Sequence, residues 1–208
     1  MKLRIVVITL VLSMVTIGRA QSPDSQKLGM ALDYFQSGKY HETLLILEQL
    51  DKQYRLNPRF RAYLGVCYFH EWDYKNACKY LDELMPQLEV FAPHERSVYY
   101  FTNAESHFYL QQYDKAIPLY EKMLLVCYDN EKADALFRIA FCYLSKEDYV
   151  NAYEFLCFAR DYYQTFPNDN KVARLEQIKT MIVGCEEKLK EEKLKEEKLK
   201  EEKLKEEK

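Results

Sequence analysis

From Pro58 to Phe91 the apolar residues fall into two stripes of helical period. Phe60, Tyr63, Leu64, Cys67 and Tyr68 recur at i, i+3, i+4, i+7 and i+8, the buried face of one amphipathic helix. After the break at Glu71-Trp72-Asp73, Ala77, Leu81, Leu84, Met85 and Leu88 draw a second stripe. Asp73 stands where a side-chain oxygen caps the free N–H groups of that second helix. Two short helices joined this tightly pack antiparallel. The hairpin they form keeps an apolar flank that it cannot bury alone, so it needs neighbours.

The chain supplies them by repeating the pattern. Tyr40, Tyr74, Tyr113 and Tyr149 each open a second helix, at spacings of 34, 39 and 36 residues. Three positions after each comes Thr43, Ala77, Ala116 or Ala152, and nine before each comes Ala31, Gly65, Ala104 or Ala140. Tyr34, Tyr68, His107 and Tyr143 stand six before; Leu47, Leu81, Tyr120 and Leu156 stand seven after. Small residues let paired helices approach, and the tyrosines and leucines fill the space beside them.

This constellation resembles the tetratricopeptide repeat family, whose unit is a 34-residue helix–turn–helix. The resemblance covers about residues 24–167. It departs from the family at an early helix A position, where Lys27, Arg61, Tyr100 and Leu136 replace the family's tryptophan. A position usually kept small holds Leu50, Leu84, Met123 and Ala159, and the closing proline is shifted to Pro58, Pro86 and Pro167. The resemblance implies an all-α fold, a right-handed superhelical α-solenoid of about four repeats. Their expected bounds are about 24–57, 58–91, 97–130 and 133–166, within an array at 21–170. Pro86 and Pro93 are expected to break the stacking between repeats two and three by kinking or stopping a helix early.

The flanks read differently. Lys2 and Arg4 precede an apolar run from Ile5 to Ile17, the length of a signal-peptide core and short for a membrane span. Gly18-Arg19-Ala20 predicts cleavage before Gln21, making 1–20 a signal peptide; left uncleaved, the same segment is an N-terminal membrane anchor. After the turn cluster Pro167–Asn170, Val172, Leu175, Ile178, Ile182 and Cys185 mark residues 171–185 as a helix that caps the open end of the array. Residues 186–208 repeat EEKLK. Glu186, Glu191, Glu196 and Glu201 each have a Lys four residues later, which favours a self-supporting helix. Leu189, Leu194, Leu199 and Leu204 advance about 140° per step and make no coiled-coil seam. The tail is expected to be a solvated, electrically balanced spacer.

Composition narrows the functions. A net charge of −3 with interspersed signs leaves no footprint for nucleic acid or an acidic membrane surface. Glycine is scarce, with 5 residues, while 18 tyrosines and 11 phenylalanines fit packed helices with short turns. The six cysteines make no CxxC pair; they read as buried reduced thiols, with a Cys67–Cys78 bridge the alternative that export allows. His41, His70, His94 and His107 are scattered outside any zinc or catalytic signature, and His107, replacing a repeat tyrosine, reads as a satisfied core residue. No phosphate loop, nucleophile elbow or carboxylate constellation is present. The chain is read as a non-enzyme that calls for no cofactor and no metal.

What remains is the inner surface that the resemblance implies. The helix A positions facing it are Leu28, Leu32, Phe35, Arg59, Tyr63, Val66, Phe69, Phe101, Glu105, Phe108, Phe137, Arg138 and Phe141. Family members that grip a chaperone's C-terminal carboxylate use Lys, Asn and Arg here, so that clamp is absent; the groove is expected to be apolar and aromatic, with Arg59 and Arg138 as isolated cations. Alternatively, these aromatics pack between neighbouring helices or lie under a terminal segment. Three readings follow: an exported cell-envelope scaffold, periplasmic or secreted, that binds a protein or peptide segment; a structural protein that self-associates; and an accessory subunit whose aromatics stack on cell-wall glycan. The weak cues of a leader without a lipobox and few disulfide features favour a bacterial envelope.

Overall fold

The computed structural model describes residues 23–166 and 172–206. The predicted leader at 1–20 and the turn cluster at 167–170 lie outside them. In order, the helices are α1 (Pro23–Gln36), α2 (Tyr40–Gln53), α3 (Pro58–His70), α4 (Tyr74–Leu84), α5 (Pro93–Tyr109), α6 (Tyr113–Leu124), α7 (Lys132–Ser145), α8 (Tyr149–Thr165) and α9 (Val172–Glu206). Each packs on the next, so the described residues form a helical solenoid of four hairpins. No strand occurs among them.

The starts and stops are written locally. Asn57 accepts a hydrogen bond from the Phe60 amide at 3.1 Å with Pro58 just inside α3, where proline loses nothing. Asp73 and Asp148 cap α4 and α8 identically, accepting from the amides of Asn76 and Asn151 at 3.1 Å. Both asparagines also donate through Nδ2 to the capping aspartate, at 2.6 and 2.7 Å.

Within each hairpin one backbone device makes the turn. The amides of Lys39, Asp73, Gln112 and Asp148 reach back to the carbonyls of Tyr34, Tyr68, His107 and Tyr143 at 2.9–3.0 Å. That bond requires the residue before each amide to be left-handed. Gly38 fills the position freely at φ 71°, whereas Trp72, Gln111 and Glu147 hold φ values of 62°, 57° and 59°. A left-handed side-chain-bearing residue costs about 1–2 kcal/mol, and glycine's extra unfolded freedom returns about 0.5–1. Trp72→Gly is therefore expected to stabilise by about 0.5–1 kcal/mol and Gly38→Ala to destabilise, read as opposite shifts of the urea midpoint by circular dichroism.

The small repeat positions set how closely the helices approach. Gly65 on α3 faces Leu81 on α4, and a Cβ there would sit 2.5 Å from Leu81 Cγ. Gly65→Ala gains about 1 kcal/mol of helix propensity. It forces Leu81, which is fully buried, against its neighbours, and overpacking of this kind costs about 1–3 kcal/mol. A net loss of about 1 kcal/mol is expected in chemical denaturation, with the opposite sign to the gain that propensity alone would give.

The core runs along the array. Leu44, Leu47, Leu50, Leu64 and Cys67 fill the first two hairpins. Leu81, Leu84, Leu88, Tyr99, Tyr120 and Ile139 continue it through the middle, and Phe137, Leu156, Ala159, Tyr163, Ile178 and Ile182 close it.

Between hairpins two and three the expected early stop is present. Helix α4 ends at Leu84, and Pro86 lies at the start of a 3-10 turn over Met85–Val90. Leu88 and Phe91 tuck into the core while Val90 stays 77% exposed. Pro93 does not break a helix but opens α5, so the third hairpin begins before the expected residue 97. The C-terminal cap and tail, expected as two pieces, are one 35-residue helix, roughly 50 Å long. Ile178, Ile182 and Cys185 are buried, whereas residues 190–203 are exposed, and a Lys188–Glu191 pair at 2.9 Å supports the exposed part.

Candidate partner-binding groove

A notch of about 570 Å³ opens between α1, the start of α3 and the connector that follows α4. Leu32 and Gln36 of α1, Asn57, Arg59, Phe60 and Tyr63 at the start of α3, and Val90 and Phe91 of the connector form its walls. Its lining is mainly apolar carbon. The notch exists because the Pro86 turn carries Val90 and Phe91 across the start of α3. Arg59 at its edge donates to both oxygens of Glu95 at 3.0 and 3.1 Å and lies 5.2 Å from the Phe91 ring centre.

From the notch a belt of aromatic contacts crosses the hairpins. Phe35 stacks on Tyr63 at 4.1 Å between α1 and α3. Phe35 also meets Tyr40, which stacks on His70 at 3.7 Å. Phe69, beside His70, contacts Tyr109 at 6.4 Å, and Tyr109 stacks on Tyr74 at 4.6 Å. Phe108 next to Tyr109 meets Phe141 at 5.7 Å, and Phe141 reaches Phe137 at 6.3 Å. Burial lowers the His70 pKa, so at neutral pH an uncharged imidazole lies against Tyr40.

The thirteen sequence-predicted positions therefore divide. Leu32, Arg59 and Tyr63 line the notch. Leu28, Phe69 and Phe108 are half-buried, as is Phe35 inside the belt, while Phe141 is 37% exposed. Phe101 lines a separate recess of about 230 Å³ with Ser97, Val98, Met123, Glu131 and Asp134. Val66, Glu105 and Phe137 are buried; Phe137 packs in the core below α9, with Arg174 4.3 Å from its ring centre.

One expectation changes. Arg59 and Arg138 are not isolated cations. Arg138 donates from Nη2 to Glu105 Oε2 at 2.8 Å, and its Nε forms an ion pair with Oε1 at 2.7 Å. Glu105 also accepts from the Tyr120 hydroxyl. Arg138 lies 4.7 Å from the Phe108 ring centre, so the pair is walled by aromatics. The pairing follows from helix geometry: Glu105 and Arg138 occupy adjacent helices A, where residue type gave charge but not partner. Sequence reasoning also missed Val90 and Phe91, hidden in an irregular connector, and Tyr74 and Tyr109, the latter 48% exposed. The repeat tyrosines carried a signal, but it reads as packing.

The other polar groups are structural. His107 is 2% exposed, and its ring nitrogens meet Asp82 at 3.0 Å and Gln112 at 2.8 Å. Cys67 and Cys78 are free thiols rather than a bridge, and burial pushes Cys67 and Cys142 up to about 12. Among the described residues no group of three His, Cys, Asp or Glu side chains could hold a metal ion. No described helix is long and apolar enough to cross a membrane.

No family model matches the chain, and a search of curated proteins finds no match. Solved structures do. MamA 41-end from Desulfovibrio magneticus RS-1 aligns at a TM-score of 0.54 and 16% identity, over 81% of this chain and 96% of that one. MamA AMB-1 aligns at 0.57 and 18%, over 68% and 80%. A chain of the APC/C hetero-tetramer Cut9-Hcn1 aligns at 0.58 and 18%, over 74% of this chain and 29% of that one. These are tetratricopeptide-type solenoids, and the described residues share that fold.

Proposed function

We propose that this tetratricopeptide-type solenoid is a non-enzymatic scaffold that seats an apolar segment of a partner protein in the notch and along the aromatic belt. The carrying observation is the notch: a mainly apolar open recess with Val90 held out at its edge. Exposed apolar recesses of this kind mark sites for protein segments. The nearby charges support an apolar occupant, since Arg59 and Arg138 are committed to Glu95 and Glu105. Solvent-facing aromatics such as Tyr109 supply contact area at small entropic cost. The apolar run after Lys2 and Arg4 supports export and action in the cell envelope.

The test is selection of peptides on the full chain from a random displayed library. Binders should be enriched in large aliphatic or aromatic residues. Val90→Asp places a charge in the notch at an already exposed position, and should weaken those binders at least about tenfold, equivalent to about 1.4 kcal/mol, with an unchanged unfolding midpoint. Unselective recovery of peptides, or equal binding by the Val90→Asp variant, would overturn the groove. Processing is separate: the exported chain should begin at Gln21 when its N-terminus is sequenced.

A further inference from the structure

Among the polar groups that line the notch, the charged one is taken and three neutral ones are free. Arg59 is held by Glu95 in two hydrogen bonds, at 3.0 and 3.1 Å. Gln36, the last residue of α1, is exposed, and among the described residues its side-chain amide has no hydrogen-bond partner. Asn57 accepts through Oδ1 from the Phe60 amide at 3.1 Å, which leaves its Nδ2 hydrogens unbonded among the same residues. Tyr63 is fixed by its ring, stacked on Phe35 at 4.1 Å and edge-on to Phe60 at 5.9 Å, and its hydroxyl is likewise unbonded. Together these groups offer donors and acceptors without charge, in a recess whose lining is otherwise mainly apolar. They bond water while they face solvent, and an occupant that displaces this water has to return the bonds.

We propose that the occupant of the notch is an extended segment of a partner chain, recognised through its main chain by Gln36, Asn57 and Tyr63; this rests on the partner-binding reading above. A helical occupant fails on hydrogen bonding. The N–H and C=O groups inside a helix are bonded to each other, so an apolar helix flank brings nothing for the three neutral groups. It shuts them away from water unbonded. An extended segment carries a free N–H and C=O at each residue, and its alternate side chains face the same way. Apolar side chains two residues apart then fill the space beside Leu32, Phe60 and Phe91, while the main chain meets the amides and the hydroxyl. An acidic side chain gains little here, since Arg59 already holds a carboxylate. Selectivity comes from the size and spacing of apolar side chains rather than from charge.

The displayed-library selection on the full chain gives the first readout: enriched peptides should carry their large apolar residues at i and i+2. The strongest of them, synthesised with a fluorophore, should bind Gln36→Met about three- to tenfold more weakly by anisotropy. Methionine is close to glutamine in length and adds apolar surface. A notch that works by apolar contact alone would therefore hold the peptide as tightly or more tightly. Asn57→Asp keeps the oxygen that caps α3, removes the Nδ2 donors and should weaken the peptide by a similar factor. Lactam bridges from i to i+4, placed at each register in turn, fix the peptide as a helix and should each weaken it by more than about tenfold. Enrichment at i, i+3 and i+4, undiminished binding to Gln36→Met, or a bridged peptide that binds as well as the open one would overturn the extended occupant and leave the groove in place. Equal binding by Val90→Asp, or a selection without apolar preference, removes the groove and this inference with it.

Discussion

Replacing Arg138 with alanine is expected to cost the solenoid about 3–5 kcal/mol, the price of leaving a buried carboxylate without its cation. Glu105 is 3% exposed, and its oxygens are held by Arg138 and Tyr120. Deleting Arg138 leaves the charge with a hydroxyl alone and empties the space over Phe108. Burial works against Arg138's charge, but Glu105 and the Tyr120 side outweigh it and raise its pKa. Denaturant unfolding checks the size. The double variant Glu105→Leu, Arg138→Leu separates the two meanings of that loss. Removing both charges together should recover most of the stability, because the damage lies in the orphaned partner and not in the value of the pair. A double variant as unstable as Arg138→Ala would show that the pair itself holds α5 to α7.

That pair also marks where sequence reading stopped. Periodicity gave the hairpins because each helix must bury a stripe, and that demand is written at every third or fourth residue, as in Phe60, Tyr63, Leu64 and Cys67. The cap at Asp73 was legible because it acts within three residues, and the structure repeats it at Asp148. The hairpin turn was legible as a break but not as a left-handed position, since Trp72, Gln111 and Glu147 hide what Gly38 alone displays. Partner choice depends on how one hairpin rotates against the next. Arg59 could thus be placed on the inner surface without Glu95. Arg61, standing where the related repeats carry tryptophan, gave no sign that it would turn to Glu83 with two hydrogen bonds. The notch was beyond reach for the same reason: its outer wall is an irregular connector whose path follows from Pro86 and the burial of Phe91. The EEKLK tail was legible as helix, but its fusion with the capping stripe into one rod depends on a boundary that neither pattern marks.

Stability should also fall as pH rises from neutral, through His107. Burial opposes charge on this ring, but hydrogen bonding to Asp82, Cys78 and Gln112 outweighs burial and raises the pKa from 6.5 to about 10. A raised folded value means that the folded chain holds a proton the unfolded chain has lost. The contribution is therefore complete below about 6.5 and disappears as pH climbs through about 10, at about 1.4 kcal/mol per unit between. Asp82 moves the other way: burial would raise it, but bonds from His107 and Asn103 lower it, and Lys115 adds to the lowering. Its share is lost only as pH falls through the acid range, and it is the same contact seen from the other side, so the two do not add. From pH 7 to 9 the loss attributable to His107 is about 2–3 kcal/mol. His41 is also raised, by its hydrogen bond to Glu71, but it is solvent-exposed, so a difference measurement is needed. His107→Tyr restores the residue that Tyr34, Tyr68 and Tyr143 place at the same repeat position, and a tyrosine does not titrate in that window. Urea unfolding at pH 7, 8 and 9 should show a slope in the natural chain that is about 1.4 kcal/mol per unit steeper than in the variant. Parallel slopes would mean that His107 is buried neutral, and that its bond to Asp82 positions α5 on α4 without a charge on the ring.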